Sequence, residues 1–185
     1  MRLLLALVLG ASVIAGAARA DKLQQAEAAF AEFEEDKALA LYNEVLAEAP
    51  NDAKLQAAAR FGRGEVYAAT NRYPQALADF DAALALQTLP ADRATTLVSR
   101  AECYARLGRQ PDALDDYAES LRLAPAQIGV HTARGAMLQR LGRKDEALAE
   151  FDAELKLRPK YYRALVGRAQ ILDLPLPPNP EEGRR

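Results

Sequence analysis

Four arginines stand in step along the chain: Arg63, Arg100, Arg134 and Arg168, at intervals of 37, 34 and 34 residues. Asp79, Asp116 and Glu150 keep the same beat. A guanidinium is planar, permanently charged and presents paired donors, so it suits a carboxylate or an anionic ligand equally well. Two chemistries follow: a basic stripe for an anion, or a ladder of ion pairs between packed helices. The acids share the arginines' period, which favours the ladder.

Other candidates for chemistry are few. His131 is the single histidine. With no cysteine or second histidine at ligand spacing, it builds neither a metal site nor a Ser-His-Asp triad. It corresponds to Leu97 one repeat earlier, which points to packing. Cys103 is the only cysteine, so an intramolecular disulfide framework is excluded. It reads as a small packing residue. Asp115-Asp116 and Glu34-Glu35-Asp36 look like solvated faces and turns rather than acid/base pairs. There is no Gly-rich phosphate loop. No catalytic residue, cofactor or metal site is expected.

Side chains repeated at such intervals need elements repeated at the same pitch. Ala38, Ala76, Ala113 and Ala147 are each followed by leucine, and each has an aromatic residue four positions on: Tyr42, Phe80, Tyr117 and Phe151. Self-similarity at this period marks a stacked helical array. The chain is rich in Ala, Leu, Glu and Arg, which lose little rotamer freedom in a helix. In the clearest two units Ala101, Tyr104, Gly108, Ala113, Tyr117 and Pro125 correspond to Gly135, Leu138, Gly142, Ala147, Phe151 and Pro159. The small residue lets a second helix approach. The glycine ends the first helix in a left-handed conformation. The proline stops the second.

The earlier units depart from this pattern. Asn71 stands where the turn glycine would be, and asparagine tolerates that conformation. Pro90 comes late, which predicts a longer second helix or a longer connection after it. In the first unit the turn at Glu34-Glu35-Asp36 has no glycine, and Phe30 precedes Ala38 by eight residues rather than nine. Residues 161–173 repeat only the first-helix spacing and read as a capping helix. The segment 175–185 reads as a Pro-rich disordered tail.

The pattern resembles the tetratricopeptide repeat, a 34-residue helix-turn-helix unit, over residues 23–174. The resemblance implies an all-α fold: a right-handed α-α superhelix, or solenoid, of about four repeats plus a C-terminal capping helix. It also implies a concave groove lined by the first helices. By register, Phe61, Glu65 and Ala69 face it from the second repeat. Val98, Glu102 and Arg106 follow from the third, and Thr132, Ala136, Gln139 and Arg140 from the fourth. Leu23, Glu27 and Phe30 extend the groove if the first repeat is in register. One end is then acidic and apolar and the other basic, which suits an extended or helical peptide. Some relatives hold C-terminal carboxylates with Lys and Asn at these positions; that set is absent here.

The N-terminus carries an address. Arg2 precedes an apolar run from Leu3 to Ile14, and Ala18-Arg19-Ala20 supplies small residues where a signal peptidase cuts. The run is shorter than the ~20 residues that a spanning helix needs, which favours cleavage after Ala20 over a retained anchor. The expected organisation is a signal peptide at 1–20, a solenoid at 21–174 and the tail at 175–185. The net charge of −2 becomes −4 once Arg2 and Arg19 are removed. Nucleic acid is therefore a poor partner, and no membrane span is expected after cleavage. The expectation is a non-catalytic interaction module or scaffold in the bacterial envelope, periplasmic or secreted, with a protein or peptide partner. The alternative is an accessory subunit docked beside a cell-wall or secretion enzyme.

Overall fold

The computed structural model describes residues 2–178, with side chains from residue 16 onward. Met1 and residues 179–185, which include most of the expected tail, lie outside the described residues. The described chain forms nine helices and no strand. They are α1 (Arg2–Ala31), α2 (Glu35–Glu48), α3 (Ala53–Ala69), α4 (Tyr73–Leu86), α5 (Pro90–Arg106), α6 (Gln110–Leu123), α7 (Val130–Arg140), α8 (Lys144–Leu157) and α9 (Tyr162–Leu172). Each odd helix packs most closely on the even helix after it, and α9 packs on α8 and α7. Four hairpins and a cap result, as the repeat predicts.

The hairpin turns depend on one left-handed residue each. Gly108 and Gly142 take φ of 74° and 76°, and Asn71 takes 60°. In the first repeat the register puts Phe33 at this position, also at φ 60°. An L-aromatic residue there is a genuine backbone outlier. Its ring is 82 % exposed, so burial does not compensate for it.

The late Pro90 has a different consequence from the one expected. Neither α4 nor its connection is lengthened: α4 ends at Leu86, and residues 87–89 alone join it to α5. Pro90 instead opens α5, where its fixed φ suits the first turn and its missing N–H costs nothing. The extra residues lengthen the first helices. Both α3 and α5 have 17 residues, against 11 in α7 and α9.

The second-helix aromatics are the keystones of the core. Tyr42, Phe80, Tyr117 and Phe151 are all at most 3 % exposed. Gly64 and Gly135 let the first helix close on them: a Cβ added there would stand 2.7 Å from Phe80 Cε1 and 2.9 Å from Phe151 Cε1. Gly167 of α9 closes on the outer atoms of the same Phe151 ring. One apolar cluster runs unbroken through the third and fourth repeats into the cap, with Tyr117, Val130, Leu138, Phe151 and Ala164. Tyr42, Val45 and Val66 belong to a separate cluster nearer the N-terminus.

A fully buried carboxylate marks where the short α7 begins. In the third repeat the Ser120 hydroxyl donates to the Ala94 carbonyl at 2.9 Å, in the second turn of the long α5. Glu154 holds the equivalent place in α8, and α7 lacks the corresponding turns. Its longer side chain fills the space. Arg158 Nη1 donates to Glu154 Oε1 at 2.6 Å, and the Gly129 backbone N–H points at the same oxygen from 3.4 Å.

Candidate functional site

The arginine positions are frame, not ligand site. Arg63 Nε and Nη2 donate to Asp79 at 2.7 Å each, and Arg100 Nε and Nη2 donate to Asp116 at 2.8 and 2.7 Å. Both acids are buried. The remaining Nη1 reaches back one repeat, from Arg63 to Asn43 and from Arg100 to Asp81 at 2.6 Å. Each arginine therefore staples its own hairpin and ties it to the one before. Arg168 of the cap makes only the backward bond, Nε to Asp152 Oδ1 at 2.9 Å. Arg134 makes only the forward one, to Glu150. The register puts Ala118 where Asn43, Asp81 and Asp152 stand in the other repeats, so Arg134 meets no acceptor at that place in the third repeat. His131 Nδ1 shares Glu150 at 2.7 Å, so the packing expected of it is polar. Tyr67 and Tyr104 each have two guanidiniums close to the ring: Arg63 and Arg72 for one, Arg100 and Arg109 for the other.

With these groups engaged, the free surface lies on the inner layer. The odd helices touch one another from repeat to repeat, α1 with α3, α3 with α5, and α7 with α9. Phe61 is partly buried, its ring tilted against Phe80 at a centroid distance of 6.0 Å. Glu65 is partly buried one turn further along α3, and Val98 packs at the edge of the core. Glu102, Arg106 and Arg140 are exposed. None of these charged groups forms an ion pair among the described residues. Burial raises the Glu65 pKa, as does the nearby Glu102 charge, while a hydrogen bond from Ser99 opposes them. Burial also raises Glu102, against the pull of Arg106. Behind them burial pushes Cys103 up to about 11, an inert thiol, and Tyr42 up to about 12.

Thr132 and Gln139 sit differently from their neighbours in the register. Thr132 is buried, and its Oγ1 has no hydrogen-bond partner among the described residues. Both line a small cavity of about 250 Å³ between α7 and α9, floored by Phe151 and flanked by Tyr161. A larger cavity, about 600 Å³, opens between the N-terminal halves of α3 and α5. Phe61 forms one wall, and Leu86, Leu89 and Thr95 form others. Register alone points to Phe61 but misses Leu86, Leu89 and Thr95. The signal was Pro90, read as a stop rather than as the start of a lengthened helix.

Models of the tetratricopeptide repeat match residues 55–126 and 133–174. The chain belongs to the tetratricopeptide repeat family. Solved tetratricopeptide structures align over most of its length. MamA from Desulfovibrio magneticus RS-1 is 20 % identical, with 77 % of each chain covered and a TM-score of 0.67. YrrB is 23 % identical over 82 % of this chain and 75 % of its own, at 0.66. A tetratricopeptide repeat protein from Parabacteroides merdae ATCC 43184 is 23 % identical over 83 % of this chain and 58 % of its own, at 0.74. These likenesses establish the shared fold. Among curated proteins, none matches the chain. No helix among the described residues is long and apolar enough to cross a membrane.

Proposed function

We propose that the chain is a non-catalytic interaction module of the bacterial envelope that holds a peptide or partner protein in the groove of its first helices. One observation carries this. The repeated charges of the frame are spent on one another, whereas the inner positions change along the array: Glu65 and Glu102 give way to Ala136, Ala69 gives way to Arg106 and Arg140, and Glu102, Arg106 and Arg140 stand exposed without ion-pair partners among the described residues. One neighbour of the same fold, YrrB, is described as having an unusual peptide-binding site. Export follows from the N-terminal pattern. Cleavage after Ala20 leaves residues 21–31 of α1, the same 11-residue length as α7 and α9. It also keeps Lys22, which pairs with Glu44 and Glu48, and the buried Ala26 and Ala29.

Two measurements test the proposal. Mass spectrometry of the chain recovered from the periplasm should give Asp21 as its first residue. In pull-downs from envelope extract, Phe61→Ala and Arg140→Glu should each weaken capture of a partner held by the unmodified chain. Capture unchanged by both substitutions refutes the groove.

A further inference from the structure

The cavity between α3 and α5 is not a general consequence of the repeat. It exists because both helices begin about a turn and a half earlier than α7 and α9. Their added turns rise past the hairpin ends, and the 87–89 connection closes the floor between them. The walls are mainly apolar, with Ala57 and Phe61 from α3 and Leu86 from the end of α4, and Lys54 and Asp92 also belong to the lining. Leu89 is 60 % exposed at the mouth, an apolar side chain facing solvent without cover.

Beyond the cavity, the channel between α3 and α5 turns acidic. Glu65 follows Phe61 by one turn on the same face of α3, and Glu102 holds the equivalent place on α5. Burial raises the Glu65 pKa, and the Glu102 charge raises it further. Neither has a cation within ion-pair distance among the described residues. Arg106, a turn beyond Glu102, offsets it only at longer range. Two carboxylates on neighbouring first helices, neither of them paired, are best relieved by a cation held between them.

We infer that this channel takes an extended basic peptide, with an apolar side chain seated in the α3–α5 cavity and a lysine or arginine between Glu65 and Glu102. The inference rests on the groove proposed above and names the chemistry of its occupant. Spacing follows from the helices. From Ala57, at mid-cavity, to Glu65 is eight residues, or about 12 Å at the 1.5 Å rise of an α-helix. An extended chain covers that distance in about three to four residues. The anchor and the cation are therefore three or four positions apart.

The test uses synthetic peptides bearing one leucine and, four residues on, lysine or glutamate, titrated against the purified chain by fluorescence anisotropy. The lysine peptide should bind at least tenfold more tightly than the glutamate one. Glu65→Gln with Glu102→Gln should remove most of that ratio, and Glu102→Lys should reverse it. Thr95→Trp and Leu89→Asp, both at exposed positions on the rim, should each weaken the lysine peptide severalfold with the helical circular dichroism unchanged. Equal affinity for the two peptides overturns the inference, as does indifference to both rim substitutions. A concentration-dependent dimer that Leu89→Asp dissolves also overturns it, because the cavity then belongs to a second copy. If Phe61→Ala and Arg140→Glu weaken partner capture while the two peptides bind equally, the groove stands and this occupant falls.

Discussion

Arg100 offers the sharpest test of the frame, because one side chain holds two acids in very different surroundings. Asp116 has a side chain only 9 % exposed and receives two of its hydrogen bonds; Asp81 is 57 % exposed and receives one. Replacing Arg100 with methionine keeps the apolar stem and removes both partners. Leaving a buried ion without its mate costs about 3–5 kcal/mol, whereas an exposed pair contributes about 0–1 kcal/mol. Nearly all of the loss should therefore come from Asp116. Arg100→Met should cost about 3–4 kcal/mol and lower the melting temperature by roughly 10 °C, at 2–4 °C per kcal/mol for a chain of this size. Asp81→Ala alone should cost less than about 1 kcal/mol. Arg100→Met with Asp116→Leu removes the stranded charge as well and should recover most of the loss, since a buried pair exchanged for apolar side chains is often nearly neutral. Urea titration followed by circular dichroism measures all three, with the slope checked for constancy because repeat arrays depart readily from two-state unfolding. If Arg100→Met costs no more than Asp81→Ala, or the double variant is worse than the single one, the buried acid is not what the arginine secures.

Three further outcomes are expected. Phe33→Gly should stabilise the chain by about 0.5–1 kcal/mol, because relief of the left-handed aromatic exceeds the entropy glycine adds to the unfolded state; a lower melting temperature would mean that the exposed ring contributes packing. Gly167→Ala should destabilise by about 1–2 kcal/mol despite the better helix former, since a Cβ there meets the pinned Phe151 ring; urea midpoints decide the sign. Glu65 has a folded pKa above its unfolded one, so it favours the folded state below about pH 4.5, and that contribution disappears as pH rises through the raised value. Glu65→Gln should accordingly flatten the fall in urea midpoint above pH 4.5, and an unchanged slope would refute the burial of this carboxylate.

Much of the array was legible in the chain because each unit spends the same residues on the same contacts. The Arg63–Asp79 and Arg100–Asp116 pairs fall sixteen residues apart, a spacing visible without coordinates. The Gly108 and Gly142 turns follow from conformational preference alone. Other features depend on neighbours in space. Nothing in the type of Phe33 favours a left-handed turn; its place comes from register with Asn71 and from the packing of α1 on α2. Pro90 is equally at home after one helix or at the start of the next, and only the length of α5 resolves which. Glu154 at a position that holds serine one repeat earlier looks anomalous until α7 is seen to begin late. Of the groove, the periodic Glu65 and Glu102 could be named from register, but the cavity beside them arises from helix length and could not.

Ala118 gives the stack two kinds of joint. Between the first and second hairpins, between the second and third, and at the cap, polar hydrogen bonds from an arginine cross the seam, two of them to carboxylates. Apolar clusters cross these seams as well, but between the third and fourth the cluster around Tyr117, Val130 and Leu138 has no such arginine bond beside it among the described residues. These joints answer to different variables. Added salt screens charges at the partly exposed seams, whereas cooling weakens apolar burial. High ionic strength should therefore loosen the second-to-third seam and the cap, where an arginine meets a carboxylate, more than the third-to-fourth junction, whereas cold should weaken the third-to-fourth junction most because no polar bond backs its apolar packing. The bend of the groove is then set by solution conditions at separate points along its length, like a folding rule whose hinges are made of different metals.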